Sequence, residues 1–296
     1  SRMSKWWRLI PVLAAGCAGN KMDSDYLLDI QLAHEYYAKG KFEEAMRKYE
    51  DAIERNPKSY PGIVGLACAD REWGLKKFAE AEDLFISKKP DLAKKEFDKA
   101  VNVHGSAQKL FKKAIDMNPS EPMAYRERGV FFYKRATSPF NFPYRLDDAK
   151  NRRMERDLAI TDFELVVKRD PGALFTQRYL GLALFARGDS PKGRQHLESY
   201  LEGMAKAREY IRTTAPRQTP EQREDAEKRL STLDKELMEV CDMLGGYLKE
   251  LNDFKKKATD VADINSLAKE ILAVENLLRK YHEATTPKST DTPKQN

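Results

Sequence analysis

The sequence predicts an all-α chain: a solenoid of about four stacked helical hairpins, followed by a C-terminal antiparallel helical hairpin or coiled coil. Three observations carry this. Glycine and proline are scarce, 15 and 14 of 296 residues, while the helix formers Ala, Leu, Glu, Lys and Arg are abundant. Apolar and small residues recur at the three-and-four spacing of one helix face. The pattern is closed at intervals by Asn56-Pro57, Asn118-Pro119 and Asp170-Pro171, dipeptides that stop a helix and set the turn to the next.

The first unit runs Tyr26–Pro57. Leu32, Ala33, Tyr36 and Gly40 mark one helix and its turn; Phe42, Ala45, Tyr49, Ala52 and Pro57 mark a second and its stop. The next begins near Tyr60, with Ile63, Leu66, Ala67 and Gly74 in the slots of Asp29, Leu32, Ala33 and Gly40. Lys88-Lys89-Pro90 interrupts its second helix, a further helix is expected over 91–103 with Gly105 as its stop, and Ala107, Phe111, Ala114 and Pro119 then resume the pattern. An inserted helical hairpin near 86–104 is therefore expected. The third unit pairs Tyr125, Gly129, Phe132 and Tyr133 with Ala159, Phe163, Val166 and Pro171, around an insertion at 137–157. Its Phe140, Phe142 and Tyr144 need burial, either over the array or against a partner. The fourth starts at Leu174, with Gly181, Gly188, Leu197 and Leu201 in register and Gly193 at the helix crossing, and its second helix runs on towards Thr213.

This pattern resembles the tetratricopeptide repeat, a helix–turn–helix unit of about 34 residues that cannot bury its apolar face alone and so stacks on neighbours. The resemblance covers about 26–205, within an array of 26–213. It implies a protein-interaction scaffold. In that family the first helices line a concave surface, and the matching positions here are candidates for a peptide-binding groove: His34, Tyr37, Arg71, Arg126, Tyr133, Lys134, Arg178 and Phe185. Arginine and aromatic residues favour binding hot spots, and an extended or helical peptide segment with carboxylates would pair with Arg126 and Arg178. The alternatives are that the C-terminal hairpin fills the groove, or that these arginines pair with acids on adjacent helices.

Residues 1–17 read SRMSKWWRLIPVLAAGC. A basic stretch, a short apolar run and small residues have the order of a secretory signal, and the run is too short to span a bilayer. The end, Leu13-Ala14-Ala15-Gly16-Cys17, resembles a bacterial lipobox. That resemblance implies a signal peptide over 1–16, acylation of Cys17, a tether over 17–25 and attachment to a membrane without a span. Ala18 after the cysteine implies the outer membrane, with the protein facing the periplasm. The expected partners are proteins of an envelope complex.

Past the break at Ala215-Pro216, Thr219-Pro220-Glu221-Gln222 reads as a capping box. Leu230, Leu233, Leu237, Val240, Leu244, Tyr247 and Leu251 follow on one stripe, and Ile264, Leu267, Ile271, Val274, Leu278 and Tyr281 on a second. This predicts an antiparallel hairpin over 219–284, with Gly245-Gly246 marking a kink or a close helix contact. The stripe either caps the fourth repeat or oligomerises the chain through 219–283. Residues 285–296 form a polar tail.

Chemistry of other kinds finds no footing. The net charge of +6 includes Arg2, Lys5 and Arg8 of the leader, a mild excess that gives little support for nucleic-acid binding. No two of the four histidines lie within four residues of each other, so no helical metal pair is expected. There is no phosphate loop or nucleophile elbow. Neither a cofactor nor a catalytic residue is expected. Cys68 and Cys241 read as small buried hydrophobes.

Overall fold

A computed structural model of the chain describes residues 24–137, 148–214 and 219–285. The leader, Cys17, the aromatic stretch Phe140–Tyr144 and the polar tail from residue 286 lie outside these. Among the described residues there are ten α-helices and no strand. They fall into two compact units divided between Arg169 and Asp170.

The first unit holds three hairpins: α1 (Ser24–Ala38) with α2 (Phe42–Arg55), α3 (Tyr60–Ile86) with α4 (Pro90–Met117), and α5 (Pro122–Thr137) with α6 (Asp148–Arg169). Small residues set how closely each pair crosses. Ala33 and Ala67 are wholly buried, and a Cβ on Gly129 would lie 2.6 Å from the Phe163 ring, so any larger side chain would force α5 off α6. Polar clamps cross the hairpins as well. Asp29 accepts from Lys48 at 3.1 Å and Arg55 at 2.9 Å. Arg128 holds Asp162 through two 2.8 Å bonds. Successive hairpins are aligned at their N-terminal ends by tyrosines. The Tyr26 hydroxyl meets Ser59 Oγ at 2.8 Å, and Ser59 caps α3 by accepting from Gly62 N–H. The Tyr60 hydroxyl in turn accepts from Ala124 N–H in the first turn of α5.

The expected extra hairpin near 86–104 is corrected. The insertion instead lengthens both arms of the second hairpin, to 27 and 28 residues against 15 and 14 in the first. Only Ser87–Lys89 interrupt it. Ala81, Ala93 and Ala100 carry the contact on through this extension, so the paired helices have a seam to follow and no reason to break. Gly105 is not a stop but lies inside α4, with open space around it. The insertion at 137–157 also divides: residues 148–157 are the first turns of α6, tied to α5 by Arg135–Glu155 at 2.6 Å.

The second unit holds α7 (Leu174–Arg187), α8 (Ser190–Thr214), α9 (Pro220–Lys257) and α10 (Val261–Thr285). Here α7 and α8 approach to backbone contact: a Cβ on Gly181 would meet Gly193 O at 2.9 Å, and the reverse holds for Gly193. The apolar side of α8 is shared with the C-terminal hairpin. Leu197, Tyr200, Leu201 and Met204 share one core with Leu237, Val240, Leu244 and Leu251 of α9 and Ile271, Val274, Leu277 and Tyr281 of α10. The C-terminal hairpin therefore caps the fourth repeat, and the chain divides at 169/170 rather than after the fourth repeat. The capping box forms as expected, Thr219 with Gln222. Gly245 and Gly246 lie in an unbroken helix with nothing within 4 Å of an added Cβ, so they mark no close contact. Gly245→Ala and Gly246→Ala are each expected to stabilise this unit by about 0.5–1 kcal/mol, read as a raised midpoint in urea unfolding followed by circular dichroism.

Candidate functional site: the charged face of the first unit

α3 packs between α1 and α5, so the inner faces of three first-of-pair helices meet along it. Four of the residues expected in the groove come together there: Tyr37 from α1, Arg71 from α3, and Arg126 and Lys134 from α5. Two carboxylates join them, Glu72 beside Arg71 and Glu127 beside Arg126. Arg71 is fully buried. It donates to Glu127 Oε2 at 3.0 Å, to the Glu127 carbonyl at 3.1 Å, to Glu72 at 2.8 Å and to the Tyr37 hydroxyl at 3.3 Å. Arg126 bonds the other oxygen of Glu127 at 2.9 Å. Lys134 donates to Glu72 at 2.6 Å. In this network three cations meet two carboxylates.

The electrostatics follow from this count. Burial by itself would raise the Glu127 carboxyl, but Arg126 and Arg71 overcome it and bring the pKa down to about 2. Glu72 moves the same way: burial opposes ionisation, and Arg71 and Lys134 win. Lys134 goes down, through burial and the nearby Arg71 charge, despite its bond to Glu72. The site thus holds Glu72 and Glu127 ionised. Cys68 contacts Glu127 Oε2 through its thiol, and burial followed by that carboxylate pushes its pKa well up; it is inert, as a small buried residue should be.

The remaining expected positions are placed as follows. His34 stacks edge-on against Tyr49 at 5.7 Å, and burial lowers its pKa to about 4, so it is neutral. Tyr133 lies half-buried on α5. Arg178 and Phe185 belong to the second unit and lie under α9: Arg178 pairs with Glu239 at 3.1 Å and Phe185 packs edge-on against Tyr247 at 4.8 Å. In the fourth repeat the C-terminal hairpin fills the face that a peptide would use. Arg71 is likewise not open to a ligand, because its guanidinium is used in joining α1, α3 and α5.

Glu127 was not singled out from the sequence, although its position next to Arg126, repeating Arg71-Glu72, is a signal that could have found it. Asp70 also escaped notice. It is buried, and burial, only partly offset by a bond to Ser106, raises its pKa to about 7. Among the described residues no group of His, Cys, Asp and Glu could hold a metal ion, and no helix is long and apolar enough to cross a membrane.

Residues 30–59 match the tetratricopeptide-repeat family. No curated protein matches the chain. Among solved structures, the human IFIT1 dimer with m7Gppp-AAAA is 15% identical, with 88% of this chain and 70% of that one covered and a TM-score of 0.32. MamA protein is 18% identical, covering 63% of this chain and 95% of that one, with a TM-score of 0.28.

Proposed function

We propose that this protein is an interaction scaffold of the bacterial cell envelope, tethered through acylated Cys17 to the periplasmic face of the outer membrane. In this reading the first unit holds an acidic segment of a protein partner. The observation that carries the partner chemistry is the pair of partly exposed cations on the α1–α3–α5 face. Lys134 and Arg126 are its partly exposed cations, with side chains 27% and 34% accessible, while the carboxylates they pair with are more deeply buried. A carboxylate arriving from a partner would meet Lys134 and Arg126 at this open edge, while Glu72 and Glu127 stay in place. The tether rests on the residue order at Leu13–Cys17.

The alternative of an oligomerising envelope component is less favoured. The stripe Leu237, Val240, Leu244 and Leu251 that would pair with a second copy is already buried within its own unit.

Two experiments test the reading. Crosslinking in the native host should capture a partner, and Lys134→Ala with Arg126→Ala should weaken that complex about tenfold or more, the effect of roughly 1.4 kcal/mol of lost pairing. A partner retained at full affinity by the double variant would remove the groove from the account. Labelling with a fatty acid should mark the parent and not Cys17→Ser; equal labelling of both would end the tether.

A further inference from the structure

One buried acid of the first unit stands apart from the others. Among the described residues the buried carboxylates are Asp29, Asp70, Glu127, Glu155 and Asp162. All but Asp70 are paired with at least one lysine or arginine. Asp70 is bonded to a neutral hydroxyl, that of Ser106.

Its place in the fold makes that pairing matter. On α3 it follows Ala69, which shares a core with Ala45 and Tyr49 of α2 and with the partly buried Leu110 of α4. Glu50 is the next residue after Tyr49 on α2, and Ser106 stands one turn before Leu110 on α4. Asp70 therefore lies where α2, α3 and α4 meet. From α2 the charged group acting on it is Glu50, a second carboxylate, which opposes its ionisation. From α4 it meets Ser106; His104 of the same helix bonds the Arg71 carbonyl instead and is neutral, because burial lowers its pKa to about 4. α1 and α5 meet α3 at Arg71, whose guanidinium is engaged by Tyr37, Glu72 and Glu127.

Ionised, Asp70 is a buried charge without a cation to match it, and parting the helices around it is what lets water reach it. Protonated, it carries no charge and the junction can stay closed. The hairpin placed to part is the first. Among the described residues the backbones of α1 and α2 pack on each other and on α3 and on no other helix, and the short link 56–59 joins them to it.

We propose that Asp70 is a proton-operated latch between the first two hairpins: protonated, it holds α2 against α3 and α4; ionised, it loosens the α1–α2 hairpin. The folded carboxyl has its pKa raised from 3.8 to about 7, by burial first. The closed junction is thus favoured in acid, and that advantage is lost as pH rises through 7. Opening also draws Tyr37 from Arg71, so the contribution of α1 to the charged face follows pH as well.

The test is hydrogen exchange of the full chain between pH 6 and 8, with protection corrected for the intrinsic rate at each pH, in the parent and in Asp70→Asn. His34 and His104 act in the opposite sense as pH falls from 6.5 towards 4, and the paired comparison removes their part. The ratio of variant to parent protection in α1 and α2 is expected to rise about tenfold across this range, with α5 and α6 unchanged. Glu50→Gln and Ser106→Ala, both at exposed positions, keep the carboxyl and are expected to move the parent's midpoint in opposite directions. Loss of the like charge lowers it, and loss of the hydroxyl raises it. A constant ratio overturns the proposal. So does an equal rise in α5 and α6, which would make Asp70 a contributor to overall stability and no latch. Should Asp70→Asn not fold, the two midpoints decide, and midpoints that both stay in place overturn it.

Discussion

Arg71→Ala lowers the unfolding free energy of the first unit by about 3–5 kcal/mol, the largest loss expected from any polar substitution in this chain. Alanine would remove the guanidinium that serves Glu127, Glu72 and Tyr37 together, leaving an almost wholly buried carboxylate with Arg126 as the one cation bonded to it. The loss measures an uncompensated charge more than the worth of the pair. A double-mutant cycle with Glu127→Gln separates the two, with a coupling of about 0.5–3 kcal/mol expected. Trp73 is a convenient reporter, since its indole N–H donates to Glu43 across to α2 at 3.0 Å. The pH dependence carries a definite sign. Glu127 has its folded pKa lowered from 4.5 to about 2, so the stability it contributes is present above pH 4.5 and is lost as pH falls towards 2. Unfolding midpoints measured across that window should fall less steeply in Glu127→Gln than in the parent. An Arg71→Ala protein as stable as the parent would show that the cluster does not hold α1, α3 and α5 together.

Leu244→Asp is expected to unfold the second unit and spare the first. Leu244 is fully buried in the core shared by α8, α9 and α10. Removing a buried leucine side chain to alanine costs about 2–5 kcal/mol, and a carboxylate without a partner costs more. The three tryptophans, at positions 6, 7 and 73, all precede residue 170. Trp73 lies in α3 of the first unit, so its fluorescence follows that unit, while circular dichroism follows both. The expected result is a loss of helical signal with the fluorescence transition in place, and new proteolytic cleavage within 219–284. Simultaneous loss of both signals would show that the units fold as one.

The sequence by itself determined the class and the pairing of the helices. Period and punctuation are local properties, so Asn56-Pro57, Asn118-Pro119, Asp170-Pro171 and the small residues Ala33, Ala67, Gly129 and Gly181 were enough to place each hairpin and its crossing. They could not say what an insertion does. Residues near 86–104 were read as an added hairpin with Gly105 as its stop, yet a glycine ends a helix only where nothing favours continuing it, and the Ala81–Ala93–Ala100 seam does. Nor could the slots of a repeat tell an accessible arginine from a spent one. Arg71, Arg126 and Arg178 occupy comparable positions on paper. Only the tertiary structure put Arg71 between two carboxylates, Arg126 at the partly open edge of the same cluster, and Arg178 under a helix more than 50 residues away. Exposure and pairing are properties of residues distant along the chain, and no local pattern carries them.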